Sequence, residues 1–378
     1  MSDRVPFNAP TLAGKEFDYI RQALERRHLA GNGHFSKACH GLISDFTGGG
    51  RALLTHSCTA GLEMAALLCD LGPGDEVLMP SFTFASTANA VVLRGAVPVF
   101  VDIRPDTLNI DETLLEAAVT PRTRAVCVVH YAGVACDMEA ISAFARRYGL
   151  LVIEDAAQAL HATWKGRPLG GFGDFAALSF HETKNVIAGE GGALVVNNPR
   201  FALRAEIIWE KGTNRAQFYR GEISRYTWVD LGSSFLPSEV TAAFLLAQLE
   251  QSREITRARL QSWNRYHAAL APLEQAGRLR RPLVPAEAGH NGHIYYVLAR
   301  SAPAREAMLA RLGELGVSAV IHYVPLHSAP AGLRFARTPA PMPVTDDVAA
   351  RLVRLPMHLA LTEADVDRVV AALGDATR

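Results

Sequence analysis

The sequence predicts an α/β fold: a large domain with a mostly parallel sheet flanked by helices, followed by a small C-terminal α+β domain. Three observations carry this. Short apolar runs alternate with helical patterns between residues 51 and 200. The runs are apolar throughout instead of alternating, which is the signature of strands covered by helices on both faces. The chain has 378 residues, 49% apolar and 20% charged, which is enough for two domains with substantial cores.

The elements follow in order. ALLT (52–55), EVLMP (76–80), VPVFVD (97–102), AVCVVH (125–130), LLVIED (150–155), FAALSF (175–180) and GALVV (192–196) read as strands. Between them lie crossover helices with 3.6-residue spacing, among them AGLEMAALLCDLG, ending at Gly72 before Pro73, and DMEAISAFARRYG, ending at Gly149. A long helical pattern covers Pro237 to about Glu274. Beyond it come one apolar strand, HIYYVLAR, a helix, the segment VSAVIHYVPLH, and a terminal helix opened by Thr362. The expected division is 1–250 for the large domain and 251–378 for the small one.

Composition narrows the function. With 38 basic against 38 acidic side chains there is no global field to hold a polyphosphate backbone, which argues against a nucleic-acid binder. Five cysteines at irregular spacing, with no CxxC pair, suggest neither a disulfide framework nor a metal site. MSDRVPFNAP lacks the basic start and apolar core of a signal peptide, and no apolar run reaches the length of a membrane span. The expectation is a cytoplasmic protein without a membrane partner.

In parallel sheets ligands sit at the carboxyl ends of the strands, so the residues there are read first. Lys184 lies in SFHETKN, ahead of a glycine-rich stretch in which Gly189, Gly191 and Gly192 permit close approach of a ligand. A lysine so placed suits a Schiff base with a carbonyl cofactor. The simpler alternative is a solvated loop lysine. Asp155 closes an apolar strand, where a carboxylate is costly unless a cation meets it. A protonated pyridine nitrogen is such a cation, worth on the order of 5 kcal/mol at about 3 Å and an effective dielectric near 20. The competing reading is an N-cap for the following AAQAL. Ser57, Thr59 and Ala60 precede a helix expected to begin near Gly61, and a helix N-terminus suits a phosphate monoester. Phe84, in SFTFAST, either stacks on a planar ring or belongs to the core. Lys211, Asn214, Arg215 and Arg220 in EKGTNRAQFYR meet a diphosphate or form a solvated loop.

Taken together, SFHETKN with its glycine-rich tail, EDAAQA, SFTFASTANA and HYVPLH resemble the DegT-like sugar-nucleotide aminotransferases, pyridoxal 5'-phosphate enzymes of fold type I. The similarity runs from RVPFNAP to the last helix. It implies that Lys184 binds the cofactor covalently, Asp155 contacts the ring nitrogen, Gln158 lies by the ring oxygen and Phe84 stacks on the ring. Thr59, Ala60 and Ser179 would hold the phosphate. Several relatives complete that site with an Asn from the partner subunit; this chain has Ser234 there, and Leu236 where Arg is common. His322, Tyr323 and His327 would lie near the nucleotide-sugar, unless they are locally satisfied polar groups. A homodimer with sites at the subunit interface is also implied.

The implied reaction moves the amino group of L-glutamate to the 4-keto carbon of a dTDP-linked 6-deoxyhexose, in cell-surface polysaccharide synthesis. Other nucleotide keto-sugars, C3 amination or the opposite C4 configuration are the alternatives. A related dehydratase branch replaces the lysine by His, which Lys184 argues against. A non-catalytic ligand sensor on the same fold is opposed by the intact Lys184, Asp155 and Gln158 set.

Overall fold

The structure, a computed structural model, describes residues 4–378. Strands β1 (Arg51–Thr55), β2 (Glu76–Pro80), β3 (Val97–Val101), β4 (Thr123–Val129) and β5 (Leu151–Asp155) come first. A short ribbon of β6 (Thr163–Trp164) and β7 (Arg167–Pro168) leads to β8 (Phe175–Ser179) and β9 (Gly192–Val196). The main sheet has the order β1-β9-β8-β5-β4-β2-β3. Pairing is parallel from β8 through to β3, and β9 is antiparallel to both neighbours. The carboxyl ends of β4, β5 and β8 therefore lie side by side on one edge of the sheet.

All seven apolar runs form strands, and their burial explains why. Every residue of β2 and β9 is buried, with Cys39, Ile43 and Leu246 packed in the core on one face and Leu62, Ile208 and Trp209 in that on the other. The Met138–Tyr148 helix begins where Asp137 accepts from the amides of Glu139 and Ala140, and ends at Gly149 in the left-handed region.

Two helices differ from expectation. The first begins at Cys58, three residues before Gly61, because Ser57 in extended conformation caps it by accepting from the Ala60 amide. It ends at Leu68, short of Gly72; Asp70, at a φ of 53°, turns the chain. The long pattern after Pro237 resolves into Glu239–Glu250, Ser252–Ala269 and Ala271–Gln275, interrupted at Gln251 and Leu270, each the boundary between two helices. Ser238 caps the first of these through the Thr241 amide.

A second sheet is formed by β10 (Leu279–Arg280), β12 (Tyr296–Ala299) and β13 (Leu352–Arg354), all antiparallel. Between β10 and β12, β11 (Ala288–Gly289) pairs back to β6. Tyr295, Val297, Leu312, Val369 and Leu373 form a separate core here. Val5 joins it and bridges to Val317, so the start of the described chain packs with its C-terminal part. The terminal helix opens with a reciprocal cap between Thr362 and Asp365. The segment VSAVIHYVPLH forms no strand: it makes only isolated bridges, Val317 to Val5 and Val320 to Arg354, and ends in a helical turn, Leu326–Ser328. Among the described residues no helix is long and apolar enough to cross a membrane, and the five cysteines are unpaired.

Candidate active site

At the carboxyl ends of β4, β5 and β8 lies a cavity of about 410 Å³. Ser57, Thr59, Asp155, Gln158, Ser179 and Lys184 line it from the main sheet, and His293, His322, Tyr323 and Arg354 from the C-terminal part. The sheet edge brings the first set together because each residue ends a strand or starts the connection after it.

Asp155 is buried at the end of β5. One carboxylate oxygen accepts from the Thr87 hydroxyl at 2.7 Å and the other from the Ala157 amide at 3.2 Å. The chain beyond it turns without forming a helix, so Asp155 is not an N-cap. Burial lifts its carboxyl above the ordinary value, against the pull of Thr87, Ala157 and Lys184. Lys184 stands in the loop after β8, its amide bonded to the His181 carbonyl at 2.9 Å. Burial lowers its amine below the ordinary value and Arg354 pushes the same way, opposed by Cys58 and Asp155. Of the five lysines, only Lys184 lines this cavity.

Gln158 is held at both ends of its amide: Oε1 accepts from the Ala132 amide at 2.7 Å and Nε2 donates to the Tyr323 hydroxyl at 3.1 Å. Phe84, 63% exposed, lines the cavity as a free aromatic face and is not core. At the Cys58 helix start, the Ala60 N–H is taken by Ser57 Oγ at 3.1 Å, which leaves those of Cys58 and Thr59 for a ligand. Thr59 Oγ1 bonds Ser86 Oγ at 2.7 Å beside them. Of the three glycines, Gly191 lines the cavity as expected, and Gly192 departs from expectation. A Cβ at Gly192 would overlap the Ser57–Cys58 peptide, so this glycine lets β9 reach the helix start; it makes room for backbone, not for a ligand.

Four expected residues lie outside this cavity. Ala60 is buried behind the helix start, with its N–H taken by Ser57 Oγ. His327 is tied to Ser81 Oγ at 2.8 Å and to Asp346 at 3.3 Å, as a locally satisfied group. Arg215 pairs with Glu210 at 3.6 Å and the Tyr219 hydroxyl at 3.2 Å. Ser234 is exposed and bridges to Glu210. His322 and Tyr323 do line the cavity, with His322 Nδ1 bonded to the Tyr131 hydroxyl at 3.1 Å.

Comparison with known proteins identifies the family. The family model for DegT/DnrJ/EryC1/StrS aminotransferases matches residues 10–374. The chain belongs to the DegT/DnrJ/EryC1/StrS aminotransferase family. Two relatives are each 34% identical to it: the spore coat polysaccharide biosynthesis protein SpsC of Bacillus subtilis, over 98% of this chain and 96% of that protein, and the GDP-perosamine synthase of Caulobacter vibrioides, over 99% of both. Among solved structures, the aminotransferase TlmJ of Streptoalloteichus hindustanus superposes with a TM-score of 0.90 at 31% identity, covering 98% of each chain. DesV of S. venezuelae does so with a TM-score of 0.90 at 28% identity, covering 100% and 99%.

Like its family, the protein is a sugar aminotransferase of fold type I that uses pyridoxal phosphate. The cavity fits that group. It holds one lysine, a buried carboxylate with no cation paired to it, an exposed aromatic face and free amides at a helix start.

Sequence reasoning missed four residues here. Thr87 was within reach, three positions after Phe84 on the same helical face. Ser86 and His293 carry no pattern of their own. Arg354, a lone guanidinium inside the apolar run LVRLPM, was the detectable one, since a buried cation demands an explanation.

Proposed function

We propose that the enzyme transfers the amino group of L-glutamate to C4 of dTDP-4-keto-6-deoxyglucose, giving the 4-amino-4,6-dideoxygalactose nucleotide and 2-oxoglutarate. One observation carries the reading of the site: Lys184 and an uncompensated buried Asp155 face one cavity at adjacent strand ends. Pyridoxal phosphate, when bound, supplies an electron sink for charge developing on the reacting carbon. Asp155 would keep the ring nitrogen protonated, and that pairing would offset the desolvation that lifts its own carboxyl. Lys184 would hold the cofactor covalently and serve as the base that moves the proton; burial, which lowers its amine below the ordinary value, favours the neutral form that a base needs. Gln158, fixed by Ala132 and Tyr323, has one amide hydrogen left for the ring oxygen. Phe84 would stack on the ring, and Thr59 and Ser179, with the free amides of Cys58 and Thr59, would hold the phosphate.

The same reading includes a homodimer in which Ser234 of one subunit reaches the other's phosphate site, a cytoplasmic location, and a division into domains 1–250 and 251–378. The sugar assignment is supported by SFHETKN and EKGTNRAQFYRG, which are similar to the dTDP-4-amino-4,6-dideoxygalactose transaminases. One relative's name carries GDP instead of dTDP, so the test uses both nucleotides. Purified enzyme with glutamate and a panel of dTDP- and GDP-linked keto-sugars is read by mass spectrometry and product NMR. The expected product is the dTDP-linked sugar with an axial C4 amine. An equatorial amine, or a preference for GDP, contradicts the sugar assignment alone; no turnover of any 4-keto sugar contradicts the substrate class.

A further inference from the structure

We propose that His293 is the positioning residue for Lys184: its unprotonated Nε2 accepts a hydrogen bond from the freed lysine amine and turns the amine's lone pair toward the carbon whose proton it moves. This rests on the reading of Lys184 as the base. His293 stands just before β12 with its backbone pinned at both ends: its amide donates to Asn291 Oδ1 at 3.1 Å, and its carbonyl accepts from Arg259 at 2.8 Å. The side chain is buried and lines the cavity.

The neighbours decide which ring nitrogen carries the proton. Asn185 Nδ2 donates to the Asn291 carbonyl at 3.0 Å, and turning that amide over would set its oxygen against the carbonyl. Asn185 Oδ1 is therefore the atom 2.9 Å from His293 Nδ1, and an oxygen there requires Nδ1 to be the N–H. Asn291 is itself locked, its Nδ2 donating to the carbonyls of Gln158 and Leu160. Burial pushes the His293 imidazole well below its ordinary value, and Lys184, Arg259, Arg354 and His322 push the same way, so the ring stays neutral. A neutral ring with its proton on Nδ1 has a bare lone pair on Nε2, and among the described residues nothing donates to it. His130 is the structural counterpart, with the opposite tautomer and both nitrogens engaged, Nδ1 by the Cys136 amide and Nε2 by Glu154.

The donor that this lone pair awaits is close by. Lys184 adjoins Asn185, the residue that sets the tautomer, and shares with His293 the walls of this cavity and of a smaller one of about 10 Å³ beside it. Of the charges acting on the His293 ring, that of Lys184 is the strongest. Among the described residues the lysine amine has no hydrogen-bond acceptor of its own. A neutral primary amine spins freely about its Cε–Nζ bond, so its lone pair has no fixed direction. An N–H held on Nε2 removes that freedom, and orientation is what proton transfer needs from a base already in place.

The test uses cofactor-loaded enzyme, wild type, His293→Phe and His293→Gln, the last keeping an acceptor near the place of Nε2. The half-reaction is followed by the visible spectrum with ordinary and α-deuterated glutamate. His293→Phe should lower the maximal rate about tenfold, the loss of one hydrogen bond made in the transition state, and enlarge the deuterium isotope effect. Half-saturating glutamate and cofactor content should stay unchanged, and His293→Gln should recover part of the rate. Nitrogen NMR of wild type carrying labelled histidine should show His293 with a protonated Nδ1 and a bare Nε2, and the Nε2 signal should move when glutamate frees Lys184. That spectrum decides by itself if His293→Phe does not fold. A proton on Nε2 overturns the proposal, as does a His293→Phe rate within about twofold of wild type. A loss confined to half-saturating keto-sugar also overturns it and would assign His293 to a sugar hydroxyl. Turnover by Lys184→Ala contradicts the base reading instead.

Discussion

Glu154 and Asp155 are consecutive carboxylates at the end of one strand, and they sit in opposite electrostatic situations. Glu154 is wholly buried and fully met: His130 Nε2 lies at 3.0 Å, and the amides of Gly170, Phe172 and Gly173 donate to it at 2.7–2.8 Å. His130 Nδ1 accepts from the Cys136 amide, so Nε2 is the donor toward Glu154. Burial alone would raise the Glu154 carboxyl, but His130 and the amides hold it below its ordinary value. Asp155, on the other face of β5, has two donors and a raised carboxyl. Arg259 and Arg354 repeat the contrast with cations: Arg259 donates to the carbonyls of Gly292, His293 and Met357, whereas Arg354 lines the cavity with its Nε buried and without a hydrogen-bond partner. Groups the chain satisfies by itself hold the fold; groups it leaves wanting face the cavity, and a ligand completes them.

This comparison can be broken at several points. The largest effect belongs to Lys184→Ala, which should abolish both the visible cofactor band and transamination, since no other lysine lines the cavity. Turnover in that variant, measured with glutamate and keto-sugar, would remove Lys184 from the mechanism. Next comes Asp155→Asn, which should retain cofactor but lose about a hundredfold or more in rate, a neutral amide being unable to keep the ring protonated. A rate within about twofold of wild type would reduce Asp155 to the same structural class as its neighbour.

Glu154→Gln sharpens the contrast from the other side. It should cost about 3 kcal/mol of stability in urea unfolding, because buried donors lose their carboxylate, while the rate of folded enzyme changes little. Its pH dependence has a definite sign. A carboxyl lowered in the folded state contributes stability above its unfolded pKa and loses it as pH falls through the folded one, so Glu154→Gln should flatten the acid limb. Asp155 in cofactor-free protein works oppositely: with a raised carboxyl its contribution declines as pH rises through the window above the ordinary value. The smallest effect is that of Thr87→Val. Removing one 2.7 Å bond to Asp155 should cost about 1 kcal/mol of rate, roughly fivefold, and Thr87→Ser should recover it.

Much of this was legible in the sequence, and the reason is physical. The strands announce themselves because double-sided burial makes them apolar, and Lys184, Asp155 and Gln158 stand out because strand ends are where polar residues have no cheap structural reason to be. The Cys58 helix start was misplaced, since a Ser cap and an extended Ser57 look the same in sequence as a loop serine four residues from a glycine. His327 belongs to the same motif as His322 and Tyr323, yet Ser81 and Asp346, both distant in sequence, claim it. The wall made by His293 and Arg354 is assembled by packing of the second sheet against the first: LVRLPM marks Arg354 as a buried cation, but no local pattern records which cavity it faces.

The most direct measurement of the central claim is borohydride reduction of the cofactor-loaded wild type followed by peptide mapping. The structure predicts a single labelled peptide carrying the cofactor on Lys184. A label on Lys15, Lys37, Lys165 or Lys211 instead, or no label at all, would contradict the assignment of this cavity as the active site.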